Sequence, residues 1–342
     1  MAEVNWSRTD LIDEADEVVA HQTKQQKEKL KDSNGVLIEE IKENRVKITK
    51  VIVDKQGQEE IGKKEGTYIT LSVPTLNIDD DIGFKQLEAA FMKYLNDIHK
   101  GITLGEDDKV LVIGLGNKTI TPDAVGPFAI DSMQIEQLDH PNEHLIMYAP
   151  GVTGQTGFET SDFVHALTEK IKPALVIVID ALATRGSDRL CKTIQITNTG
   201  IHPGSGVGNQ RAEISKEVLG VPVTAIGIPT VVDATVIIAD AVEKVFRSIA
   251  AKIHEKDKPS RKLSVTSWQP DPNERIDFSV LKPIFGEWST WSQNDRLQLF
   301  QEVLSSHPER LIVTPKEVDI WINKYSYLIS SGLFKWVNKT AK

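Results

Sequence analysis

Two aspartates stand where a sheet would deliver chemistry. Asp180 closes Ala174-Leu175-Val176-Ile177-Val178-Ile179, the most apolar run in the chain, and Asp123 follows Thr121-Pro122 just ahead of a helical pattern. In open α/β sheets ligands and reacting groups collect at the carboxyl ends of strands. A carboxylate at the tip of a buried strand is penalised by partial burial, so stability alone gives little reason for it. Two neighbouring carboxylates tend to share one proton, and one can then act as base on water while the other acts as acid. For Asp123 there is also a plain structural role, that of a carboxylate near a helix start that interacts with backbone N–H groups.

Other residue types around these two limit the chemistry. The strand Val110-Leu111-Val112-Ile113 runs into Gly114-Leu115-Gly116-Asn117, and position 119, where a dinucleotide fingerprint needs its third glycine, is Thr. The pattern of the next helix begins only near Pro127, so no strand-turn-helix cradle for a pyrophosphate is expected, and Gly114 and Gly116 read as a tight turn at the sheet edge. Ile201-His202-Pro203-Gly204-Ser205-Gly206-Val207-Gly208-Asn209 has alternate glycines that could present N–H groups to an oxyanion or phosphate, or form an ordinary flexible loop. Gly151 to Gly157 is either a mobile rim or a simple connection. His202 could serve as a metal ligand or an acid–base group, and it could equally be structural. Asp, Asp and His would suffice for a metal.

The elements that must position these groups follow from periodicity. Strands are expected at 109–114, 145–149, 174–180 and 222–227, with helices at about 127–138, 160–171, 210–219 and 233–253. Apolar strands separated by helices predict an α/β fold, a mainly parallel twisted sheet with helices on both faces. Ahead of it, Val46–Val53 and Ile69–Val73 read as strands with Gln56-Gly57 as a turn. Phe84, Leu87, Phe91, Leu95 and Ile98 mark an amphipathic helix over 84–99. Residues 1–34 read as a polar, mobile terminus, and 254–274 as a proline-containing, charged linker. A helical extension, 275–342, closes the chain. Thr314-Pro315-Lys316-Glu317 predicts a helix start with a capping Thr, a proline in the first turn and a capping-box Glu. Trp288, Trp291, Trp321 and Trp336 are expected to pack that extension, a partner surface being the other reading.

At 342 residues the chain can bury a substantial core. A net charge of −9 argues against a general nucleic-acid or anionic-membrane binder. Cys191 is the only cysteine, which rules out an intrachain disulfide and a cysteine-based zinc cluster. No apolar run approaches the ~18 residues of a membrane span. The N-terminus lacks a signal-peptide pattern, so a cytoplasmic location is expected.

Several motifs in order form a recognisable set: VIGLGN at 112–117, TPDAVGP at 121–127, APGVTGQTGFETSD at 149–162, IDALATR at 179–185, IHPGSGVGNQRAEIS at 201–215, AIGIPTVVDA at 225–234 and VTPKEVD at 313–319. Together they resemble the germination protease family of spore-forming bacteria, endopeptidases that degrade small acid-soluble spore proteins. The likeness runs from about residue 8 and is weakest across 255–305. It implies an atypical aspartic protease without a cofactor whose two essential aspartates fall on Asp123 and Asp180, with Gly114, Gly116, Asn117 and His202 as candidate support. A more distant similarity to hydrogenase-maturation endopeptidases keeps a metal-dependent use of the same carboxylates as the alternative.

The resemblance also implies a zymogen that removes residues 1–10 by cutting between Asp10 and Leu11, leaving 11–342 as the peptidase. The parts of that peptidase are a β-rich portion to about 80, an α/β core over 84–253, the linker and the helical extension. It further implies a homotetramer in the forespore and spore core, with spore proteins as substrates and no direct contact with nucleic acid or membrane. Outside catalysis, a nucleotide- or phosphate-binding regulator using Gly114–Asn117 and Gly204–Gly208 is the other reading of these loops.

Overall fold

The computed structural model describes residues 35–152, 159–204, 212–254, 277–304 and 311–340. The Asp10–Leu11 bond, the glycines at 154, 157, 206 and 208, and nearly all of the expected linker lie outside the described residues. The chain divides into two compact units. One comprises the chain up to Thr184, Asp188–Val231 and Thr314–Lys342. The other comprises Arg185–Ser187 and Val232–Val313.

The larger unit is built on a sheet in the order β1-β2-β3-β7-β8-β6-β4-β5. Its strands are β1 (Val36–Glu43), β2 (Val46–Val53), β3 (Gly66–Ser72), β4 (Val110–Gly114), β5 (Leu145–Tyr148), β6 (Leu175–Thr184), β7 (Thr193–Thr197) and β8 (Val223–Asp233). β4 pairs in parallel with both β5 and β6. Beyond β8 the ladder turns antiparallel through β7, β3, β2 and β1. The expected α/β sheet is therefore present, with the N-terminal strands hydrogen-bonded onto it as a continuation. β7 and β1 carry no sequence expectation. In β7, Thr193, Ile194, Gln195, Ile196 and Thr197 are all buried, so the polar residues of this short alternating run are covered as well as the apolar ones. Gln56-Gly57 lies in a short helix, α1 (Lys55–Ile61), capped by the Asp54 carboxylate on the amides of Gln56 and Gly57.

Strand side chains alternate between two cores. Val110, Val112, Ile177 and Ile179 face helices α2 (Asp81–Ile98), α3 (Val125–Asp139) and α9 (Val318–Thr340). Leu111, Ile113, Val176, Val178 and Leu182 face the opposite layer with Val164 of α4 (Thr160–Ile171) and, through Leu219, α5 (Lys216–Leu219). α9 begins after the expected Thr-Pro start, because the Thr314 hydroxyl donates to Thr230 O instead of capping the helix (2.9 Å). Trp321 and Trp336 are buried on this helix, as the packing expectation has it. Its Tyr325 hydroxyl donates to Cys191 O at 3.0 Å.

The smaller unit holds α6 (Ala234–His254), the short α7 (Lys282–Phe285), α8 (Gln293–Leu304) and β9 (Ile312–Val313), which pairs antiparallel with Val232 and Asp233. Phe246 sits at its centre with Phe278, Phe285 and Trp288 around it, and the Arg296 guanidinium lies 5.5 Å from the Phe246 ring centroid. Arg296 also pairs with Glu243 of α6. Trp288 thus packs this unit, while Trp291 is exposed.

Just beyond α2, His99 is buried, its Nε2 2.8 Å from Thr224 Oγ1 and its ring 4.5 Å from that of Trp336. Burial holds its pKa down at about 4. The unfolded chain takes up this proton near pH 6.5 and the folded chain does not until about pH 4. The stability that depends on neutral His99 is therefore full above pH 6.5 and falls as the pH is lowered toward 4, by roughly 3 kcal/mol at most. Urea unfolding between pH 7 and 4 should show that loss, and His99→Gln should flatten the slope.

Candidate active site

The corner forms where β4 ends. Gly114 is the register partner of Ile179, and the next amide, Leu115 N–H, donates to Ile179 O at 2.8 Å. Asp180 is the following residue of β6, and because the strand continues to Thr184 this residue lies within it and not at the expected tip. It is 5% exposed and its Oδ1 accepts the Ala181 N–H at 2.9 Å. The chain leaving β4 turns through Gly116 and Asn117. A single 3-10 turn, Thr121–Asp123, then brings Asp123 back, half-buried, against β6. The Asn117 N–H binds both ends of that residue, at 2.8 Å to the Asp123 carboxylate Oδ2 and 3.1 Å to its carbonyl.

Two close approaches make this arrangement feasible. Gly116 has φ +116°, and a Cβ there would lie 1.9 Å from Asp123 O. A Cβ on Gly126, in the first turn of α3, would lie 2.3 Å from Leu115 O and 2.6 Å from Ile179 O. Gly114 is equally confined, since its Cβ would fall 2.3 Å from Gly126 O. These glycines let a helix start, a turn and two strand ends meet backbone to backbone. Asn117 turns its own side chain to the loop, where Oδ1 accepts the amide (3.0 Å) and hydroxyl (2.7 Å) of Thr119. α3 starts at Val125, earlier than its pattern suggests, because Val125 and Gly126 are the residues pressed onto the sheet edge.

Asp123, Asp180, Gly114, Gly116 and Asn117 thus come together. His202 does not join them. β6 and β8 start side by side, with Val176 N–H donating to Pro222 O (2.9 Å), and β7 ends at Thr197 opposite Ala225 near the start of β8. His202 follows beyond that end, 3.8 Å from Glu213 Oε1, a carboxylate that Lys64 also contacts just ahead of β3. The aspartates sit at the other edge, where β4 ends. Among the described residues no three His, Cys, Asp or Glu side chains converge as a metal-binding group. Cys191 is buried at φ +54°, and burial pushes its thiol up to about 12, which makes it inert as a nucleophile.

Two further residues shape the corner: Gly126, and Ser326 of α9, whose hydroxyl donates to Val125 O at 3.0 Å. Gly126 lies in the TPDAVGP stretch, so a signal for it existed. Ser326 sits in a helical run with nothing local to mark it.

The germination protease family model matches residues 12–341. The chain belongs to the germination protease family. A germination protease of Bacillus mycoides is 39% identical, one of Halalkalibacterium halodurans 38% and one of a Geobacillus strain 37%, each match covering 95% of this chain and 92% of the relative. Among solved structures, a NiFe hydrogenase maturation protease, HycI from Thermococcus kodakarensis, aligns with 40% of this chain and 80% of its own at 20% identity and a TM-score of 0.28. Family membership makes the chain a protease of the germination type. No helix among the described residues is long and apolar enough to cross a membrane.

Gly116→Ala should test how closely activity depends on the turn. The added methyl meets Asp123 O and demands a strained φ, which costs about 1–3 kcal/mol in stability. Proteolytic turnover of the folded variant should fall by about a hundredfold. Thermal unfolding and hydrolysis measured side by side separate the two effects.

Proposed function

We propose that this germination-type protease hydrolyses peptide bonds with water activated between Asp123 and Asp180. One carboxylate, ionised, takes a proton from the water as its oxygen attacks the scissile carbonyl carbon. The other, protonated, supplies the proton that the amide nitrogen needs as the C–N bond breaks. The observation that supports this reading is that the turn carrying Asp123 packs on β6, with Leu115 N–H bound to the residue before Asp180 and Asn117 N–H bound to Asp123. A shared-proton dyad needs such fixed placement, since a reacting group displaced by ~1 Å loses much of its effect.

The motifs that match the family extend the reading. The substrates are small acid-soluble spore proteins, cut after an acidic residue at the start of germination in the forespore and spore core. The enzyme is made as a zymogen that cuts itself between Asp10 and Leu11 and works as a homotetramer. The net charge of −9 suits a protease with no nucleic-acid surface of its own. The metal-dependent alternative would need a third ligand beside the carboxylates, and the described residues bring no such group together.

Asp123→Asn and Asp180→Asn should each lower turnover of a spore-protein substrate to background and leave the N-terminus at Met1, while circular dichroism stays that of the unaltered protein. Near-normal turnover by either folded variant would sink the dyad. Exhaustive chelation with elemental analysis of the product should leave activity intact; loss on chelation with recovery on adding a divalent metal would favour the metal reading instead.

A further inference from the structure

α4 connects the end of β5 to the start of β6, so its N-terminal end lies at the same edge of the sheet as the aspartates. It crosses the face that carries Val176, Val178 and Leu182, with its Val164 in the same core. Asp180 shares the parity of those residues and so lies on α4's side of β6. The first turn of this helix leaves backbone donors open. Its cap residue, Glu159, gives no side-chain hydrogen bond, and the first internal bond is Phe163 N–H to Glu159 O. Among the described residues the amides of Thr160 and Ser161 have no acceptor. Ser161 is itself 5% exposed, and its Oγ has no hydrogen-bond partner. Helical side chains lean toward the N-terminus, which aims this hydroxyl into the same turn as the orphan amides.

A buried hydroxyl and uncapped amides at the positive end of a 12-residue helix form a donor set for an anion. Burial without a partner is costly, and an acceptor from a ligand at this turn would relieve that cost. In a peptidase the anion brought to this edge is a carboxylate of the substrate. It is supplied either by an Asp or Glu side chain within the peptide or by a chain terminus. Asp162, in the same turn, is exposed and would repel an anion only weakly through solvent.

We propose that the first turn of α4, through the Thr160 and Ser161 amides and the Ser161 hydroxyl, binds the acidic side chain of the peptide beside the scissile bond and sets the enzyme's preference for it. This rests on the reading of Asp123 and Asp180 as the hydrolytic pair.

The test uses two peptides spanning this chain's own residues 5–16, one with the native Asp10 and one carrying Asp10→Asn. Both are amidated at the C-terminus so that no terminal carboxylate competes. Their binding to the full-length Asp180→Asn protein is measured by calorimetry, and their hydrolysis by the unaltered enzyme. The native peptide should bind at least about tenfold more tightly than the Asp10→Asn peptide, and Ser161→Ala in the same protein background should remove most of that ratio, as expected for a charged hydrogen bond. If Ser161→Ala does not fold, Ser161→Cys keeps the volume with a weaker donor and should lower the ratio in the same direction. An unchanged ratio in the folded variant, no preference for Asp10 at all, or a preference seen only with a free terminal carboxylate would each overturn the proposal. Failure of the unaltered enzyme to cleave either peptide would count against the hydrolytic reading, while the binding ratio still decides the recognition.

Discussion

Everything at the corner depends on the absence of a side chain at Gly126. Its Cα sits in the first turn of α3, against the carbonyl oxygens of Leu115 and Ile179, where no Cβ can be accommodated. Because helix and strand ends touch there directly, the turn ahead of α3 is drawn down to β6. Asp123 reaches the edge where Asp180 emerges as a consequence of that contact. Gly114 and Gly116 extend the same constraint, one below α3 and one beneath the Asp123 carbonyl. An exposed loop carboxylate could occupy many positions at a loss of about 1–2 kcal/mol of backbone entropy per residue fixed. Backbone contact removes that freedom before substrate arrives.

The long final helix holds the contact in place. α9 packs against α2 and α3 and buries Trp321, Tyr325, Leu333 and Trp336. Each large apolar side chain contributes on the order of 1.5–3 kcal/mol when fully buried. Gly332 lies so close to Phe91 that a Cβ would come within 2.6 Å of its ring. Against that apolar background, Ser326 satisfies the Val125 carbonyl in the very turn that carries Gly126. The helical extension is thus part of the site's foundation, although the sequence separates Ser326 from Val125 by 201 residues.

Much of this was legible from residue order. Apolar runs identify β4 and the first part of β6, although β6 continues past Asp180 to Thr184, and the ordered motifs identify the family. Placement was less legible wherever a long-range contact decides it. β7 alternates polar and apolar residues over only five positions, and the sheet buries its polar side chains too. Thr314 has the chemistry of a helix cap but donates to Thr230 across the fold. His202 stands in a glycine-rich motif that invites a catalytic role, yet the antiparallel return of β7 carries it to the opposite edge. The sequence distance from Asp180 to His202 carries no information about that reversal. Gln56-Gly57 misleads in the other direction, since Asp54 caps a helix that glycine propensity disfavours.

The surroundings of the corner also narrow its chemistry. A cysteine–histidine peptidase needs a thiolate within reach of an imidazole. Here the only thiol is buried and pushed toward its neutral form. Four of the histidines have positions and partners of their own. His99 lies with Thr224 and Trp336, and His144 Nδ1 is 2.8 Å from Asp108 O, ahead of the start of β4. His165 stands beside Glu169 on α4, and His202 beside Glu213. Among the described residues, the acid–base groups placed near the end of β4 are the carboxylates of Asp123 and Asp180. Two neighbouring carboxylates can divide acid–base work, one losing a proton while the other holds one, and that is the chemistry proposed for this corner.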